Sequence, residues 1–181
     1  LSIRKDALTF DTPEILIDRP ALLVRVFEES ARLGLPLDAE ARRLVREFAH
    51  LMDGGRRRNP EVVAAFEQIL LRPSPDAFNV LNEMVTTGFL IRLLPELAGV
   101  VDRIEYDTYH VYPVDRHLLR TVQAIKQFGA PEDPSGDELC GALYAELEDR
   151  HLLLWAALLH DVGKHQPGAD HARQGAAVAR K

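Results

Sequence analysis

The chain has 181 residues, a formal net charge of −6, 46% hydrophobic residues and 28% charged ones, the balance of an ordinary globular protein with one sizeable core or two small ones. The acidic balance excludes a general pull toward nucleic acid or an anionic membrane, and no apolar run approaches the roughly 20 residues that span a bilayer. Cys140 is the single cysteine, which excludes an internal disulfide and fits a reducing, cytoplasmic setting.

The first residues, LSIRKDALTF, lack the apolar centre of a signal peptide and allow a short strand pair around Ser2-Arg4 and Leu8-Phe10. From Arg19 onward the chain reads as helix after helix. Pro20 suits a first turn, and Leu22, Val26, Phe27 and Ser30-Ala31 mark the face of a helix closed by Gly34. Asp38 caps a second, with Ala41, Leu44, Val45, Phe48 and Leu51 inward, until Asp53-Gly54-Gly55 breaks it. Asn59-Pro60-Glu61 opens a third, running to about Leu71. Ser74-Pro75-Asp76 starts a fourth that ends near Gly88, and Phe89 to Leu94 forms a short fifth.

A second half begins near Tyr106. Pro113-Val114-Asp115 introduces a helix from about Arg116 to Phe128, and GAPEDPSGDE over 129–138 is the clearest loop. Asp137 to Asp149 is helical, and the apolar segment after it is expected to be a helix buried all round. A last helix starts at about Asp170 and still reads as helix where the chain stops at Lys181, so a fragment of a longer protein is expected. The expected fold is all-α.

The chemistry concentrates in Leu152 to Lys164, LLLWAALLHDVGK. Leu152, Trp155, Ala156, Leu159, His160 and Gly163 recur at helical spacing on one face. An imidazole and a carboxylate ending such a helix lose hydration and need a strong partner. A divalent metal suits both and offsets the cost of burying Asp161. The plainer alternative is a histidine interacting with the helix dipole, followed by a solvated aspartate. Asp161 fits that alternative poorly, because a carboxylate at a helix C-terminus meets the negative end of the dipole. Gly163 would let the chain turn away and leave the space open. Four of the seven histidines lie in the last third, and His117, in the first turn of its own helix, could reach the end of a neighbouring one. Taken alone, His117 would more often be a satisfied core or surface group.

A distant histidine, a His-Asp doublet after an apolar helix, then Gly-Lys: this ordered set resembles the HD superfamily of metal-dependent phosphohydrolases. Tyr109-His110-Val111-Tyr112-x-Val114-Asp115-x-His117 and His160-Asp161-Val162-Gly163-Lys164 are more closely similar to one branch, the bifunctional PII uridylyltransferase/uridylyl-removing enzymes that sense nitrogen in bacteria. The stretch LNEMVTTGFLIRLLPEL over 81–97, and Asp170-His171 followed by Gly175-Ala176, extend the likeness from about Phe10 to the end. The resemblance implies a helical linker over 1–105 and an HD domain over 106–181, truncated at its C-terminus. It implies His117, His160 and Asp161 as metal ligands and His171 as a ligand to a second metal. Asp161 and Lys164 would be catalytic, with Lys164 contacting phosphate. The implied cofactor is a divalent metal, Mg or Mn, with Fe or Zn as alternatives. The implied reaction is removal of UMP from a tyrosine phosphodiester on the protein PII, with PII and its UMP-modified form as partners. Glutamine would act through domains absent here. The superfamily pattern closes with a later aspartate, for which no convincing candidate precedes Lys181, and the Gly-Ser and paired-aspartate motif of a nucleotidyltransferase is missing, so UMP attachment is not expected of this chain.

Other readings stand beside this one. An HD-type nucleotide or cyclic-nucleotide phosphohydrolase would share the ligands and differ in its pocket. Residues 20–100 could serve as a non-catalytic helical module. Arg42, Arg43, Arg46 and Arg56-Arg57-Arg58 could suit RNA, as in an HD domain beside a tRNA nucleotidyltransferase. A solvated face on an acidic protein is the simpler account, since no aromatics interleave the arginines. His165 fits a solvated loop.

Overall fold

The computed structural model of the protein describes residues 1–72, 79–103, 113–129, 138–165 and 170–180. The start of the fourth expected helix, the tyrosines at 106, 109 and 112 and most of the 129–138 loop lie outside the described residues. The chain divides into two compact units, Leu1–Leu93 and Leu94–Lys181.

In the first unit, Lys5 and Asp6 both take left-handed backbone, with φ of 48° and 59°, a two-residue turn whose twist suits paired strands. It joins β1 (Ser2–Arg4) to β2 (Ala7–Thr9) in antiparallel register, Ile3 opposite Leu8. A short helix, α1 (Ile15–Asp18), was not expected from the sequence. α2 (Leu22–Leu33) ends on Gly34 in the left-handed region at φ 67°, the cap that residue favours. α3 (Ala39–Phe48) starts where the Asp38 carboxylate accepts the Ala41 N–H at 2.7 Å. α4 (Pro60–Leu71) is capped by Asn59, which accepts the Glu61 N–H, with Pro60 at its first position. α5 (Val80–Thr86) is capped by Asn79, and α6 (Phe89–Leu93) follows. α2 packs on α4 and α5, and Phe27 stacks on Phe89 with ring centroids 5.3 Å apart. Phe48 and Leu51, expected inward, are half-buried, while Ala49 and Met52 are buried. After Phe48 the helix tightens into a 3₁₀ turn over Ala49–Leu51, which rotates the inward positions.

The second unit opens with a 3₁₀ turn at Pro95–Gly99 and continues with α7 (Val114–Gln127), α8 (Glu138–Glu146), α9 (Arg150–Leu159), a 3₁₀ turn at Val162–His165 and α10 (His171–Ala179). α7 packs against α9, and the Val162–His165 turn is held between Pro95–Gly99 and α10. α9 is not buried all round. Leu154, Ala157, Leu158 and Asp161 face inward at i, i+3, i+4 and i+7, whereas Leu152 is 58% exposed and Ala156 is exposed. A helix packed in one layer buries one stripe, and here that stripe faces α7. The face that carries Leu152, Trp155, Ala156 and Leu159 is the more open one.

Candidate metal centre

His117 occupies the first turn of α7, where its N–H donates to the Pro113 carbonyl at 3.0 Å. His160 closes α9 with helical backbone angles. Because α9 packs on α7, the two rings meet edge to face with centroids 5.1 Å apart, and their Nε2 atoms lie 3.1 Å apart. At Asp161 the chain leaves the α-helix and enters the 3₁₀ turn. That change brings the neighbouring carboxylate back toward the same point. Asp161 Oδ2 lies 3.4 Å from His160 Nε2 and 3.6 Å from His117 Nε2. The three ligand atoms all fall within 4.8 Å of one another.

The donor set fits a divalent cation. Adjacent ligands about 2.1 Å from an octahedral ion are roughly 3 Å apart, and those of a tetrahedral one slightly more; the observed separations span both. His160 Nδ1 lies 2.9 Å from the Ala157 carbonyl. Since a carbonyl only accepts, Nδ1 carries the proton and the Nε2 lone pair faces Asp161 and His117, the arrangement that prepares an imidazole for metal. Both imidazoles are more than one-third exposed, while Asp161 is 10% exposed, so the site has a buried anionic floor and an open imidazole rim.

Lys164, three residues after Asp161, stacks above it as the 3₁₀ spacing dictates, with its N–H donating to the Asp161 carbonyl. Its Nζ donates to Asp161 Oδ2 at 2.9 Å, and its side chain is 8% exposed. Burial pushes the Asp161 carboxyl up; the Lys164 hydrogen bond and charge, with His160 and His117 where acid protonates them, outweigh this and hold it below the ordinary carboxylate value. The geometry therefore engages Lys164 with the carboxylate rather than extending it to solvent.

His171 starts α10 and is exposed; it is not in the group formed by His117, His160 and Asp161. Its role here is through its backbone. Gly163 lies so close to α10 that a Cβ would collide with the His171 carbonyl oxygen and come within 2.6 Å of Gly175 N. Gly163 is thus needed for close approach. Among the described residues the glycines with positive φ are Gly34 and Gly88, so Gly163 does not use the left-handed region; the chain leaves α9 through the 3₁₀ turn that contains it. Asp115 was not singled out as a candidate by sequence reasoning. It is buried in the first turn of α7, two residues before His117, and neither carboxylate oxygen has a hydrogen-bond partner among the described residues. The positive end of the α7 dipole favours its charge.

The HD domain family matches residues 114–181. The chain is 37% identical over 164 residues to the bifunctional uridylyltransferase/uridylyl-removing enzyme of Methylococcus capsulatus, a match that covers 88% of this chain and 18% of that protein. It is 33% identical over 170 residues to the protein of the same name from Ruegeria pomeroyi, covering 93% of this chain and 18% of the relative. The chain thus spans less than one-fifth of the length of these relatives. No solved structure matches it. No described helix is long and apolar enough to cross a membrane.

Proposed function

We propose that this chain, whose residues 114–181 are an HD domain, is the metal-dependent phosphohydrolase portion of a bifunctional uridylyltransferase/uridylyl-removing enzyme and removes UMP from a tyrosine phosphodiester on the protein PII. The observation that carries the proposal is the convergence of His117, His160 and Asp161 from two helices and a 3₁₀ turn onto one point. Within it, residues 1–105 serve as a helical linker and 106–181 as the hydrolytic domain, with glutamine acting through other parts of the longer protein.

His117 and His160 would hold the cation from the open rim and Asp161 from the floor. The imidazole-and-carboxylate set, without thiolate, suits Mg or Mn, and also Fe or Zn. When bound, such a cation supplies Lewis acidity at neutral pH, acidifying water and offsetting phosphoryl charge. The Ala157 carbonyl fixes the His160 ring so that its Nε2 stays a lone-pair donor. Asp161 brings the negative charge that selects a cation, and its depressed pKa keeps it ionised through the neutral range. The exposure of both imidazoles leaves room for a phosphodiester carried on another protein.

The test is release of UMP from uridylylated PII by the complete enzyme carrying His160→Ala or Asp161→Ala. Either change is expected to lower UMP removal by more than the roughly 10–100-fold lost when a partner behind a metal ligand is removed, while UMP attachment persists. Normal removal by both variants would sink the assignment. Undiminished hydrolysis of free nucleotides or cyclic dinucleotides, with no action on uridylylated PII, would favour the alternative HD-type phosphohydrolase.

A further inference from the structure

The cation reading leaves a puzzle at its floor, and the further inference rests on that reading. Asp161 Oδ2 is the oxygen nearest both imidazole nitrogens, and it is the same oxygen that Lys164 Nζ contacts at 2.9 Å. One atom is therefore shared between an ammonium and the point where a cation would sit. Both side chains are at most 10% exposed, so neither charge is relieved by water, and their direct contact compensates both. The pairing is fixed by local geometry, because the 3₁₀ turn eclipses positions i and i+3.

We propose that Lys164 is the resting counter-ion of Asp161 and that its ammonium opposes the cation at that oxygen, holding metal affinity down. A buried carboxylate without a counter-charge would be costly in the empty site; Lys164 removes that cost and keeps the carboxylate aimed at the two imidazoles. The same fixed positive charge then repels a divalent cation entering beside it. Lys164 is a positioning residue in this account, and its direct partner is the carboxylate. A residue that merely propped up Asp161 would weaken metal binding when replaced. A competing counter-ion does the opposite, so the two roles have opposite signs.

The experiment is titration calorimetry of the complete, longer protein with Mn²⁺, scored on the binding that His160→Ala removes, with folding of each variant checked by circular dichroism. Lys164→Met removes the charge and keeps the apolar stem; Lys164→Gln removes the charge but keeps a donor for Oδ2, and decides the matter if the methionine variant does not fold. Both are expected to bind Mn²⁺ at least tenfold more tightly than the unaltered chain, and Lys164→Arg to bind within about threefold of it. Equal or weaker binding by the folded neutral variants overturns the proposal. His160→Ala separates the two levels of the claim. If binding by the unaltered chain is lost in His160→Ala yet unmoved by the lysine changes, only the counter-ion proposal fails. If the unaltered chain shows no binding that depends on His160, the cation reading fails and takes this proposal with it.

Discussion

Among the described residues of the second unit, Lys126 and Lys164 are buried. Lys164 meets Asp161 directly. Lys126, near the end of α7, is 3% exposed, and burial pushes its pKa down from the ordinary lysine value to about 8. A folded-state pKa below the unfolded one means that the folded chain binds the proton less tightly. The associated stability is fully present above the unfolded pKa and is lost as pH falls through about 8. At neutral pH Lys126 is therefore a burden on the second unit, worth on the order of 3 kcal/mol for a depression of this size. Lys126→Met, similar in length and apolar, is expected to raise the thermal midpoint at pH 7 in calorimetry. Its advantage should shrink steadily toward about pH 10, where the native lysine is largely neutral. An advantage that stays constant over that range would show that packing, and not charge, sets the difference.

At the scale of elements, caps made much of the fold legible. Asp38, Asn59 and Gly34 each sit where a helix begins or ends, and each makes the expected cap. The His117 and His160-Asp161 motifs foreshadowed the group that the structure assembles. Burial was less legible. The run LLLWAALL is apolar on every side, so periodicity alone could not say that Leu154, Ala157 and Leu158 would take the inward stripe. Nor could spacing reveal the Lys164 pairing, which depends on the switch from α to 3₁₀ after His160. Gly163 shows why tertiary context decides: its role is to let α10 approach the 3₁₀ turn at backbone distance, with Gly175 opposite. Gly163→Ala places a methyl against the His171 carbonyl and the Gly175 amide, and backbone cannot give way as a flexible side chain would. The expected cost is about 3 kcal/mol, at the upper end for overpacking, read as a lower urea midpoint. Mn²⁺ affinity should fall with it, because the displaced turn follows directly on Asp161 and would draw that carboxylate away from the two imidazoles. A variant with unchanged midpoint and affinity would show that α10 is not held by this contact.

For the molecule as a whole, acidic charge and apolar surface pull in opposite directions. A net charge of −6 keeps chains apart at low ionic strength. Yet the second unit exposes Leu139, Leu143 and Leu147, spaced four apart along one side of α8 and just beyond it, together with Leu152 and Leu153 on α9. A mostly apolar groove lined by Phe128, Cys140, Leu143, Tyr144, Glu146, Leu147 and Leu153 runs beside them. A contiguous apolar face of this kind promotes association once charge is screened. The 181-residue chain is therefore expected to bind a hydrophobic dye such as ANS while fully folded, and to self-associate increasingly as salt rises from about 0.05 to 0.5 M, over which the Debye length falls several-fold. Leu143→Glu with Leu147→Glu should reduce both effects, with a change in stability of about 0.5 kcal/mol or less, since exposed positions contribute little to the fold. Sedimentation velocity across the salt series measures the association directly. A double variant that associates as strongly as the original chain would place the sticky surface elsewhere. A variant that unfolds would show that these leucines are part of the core of the second unit.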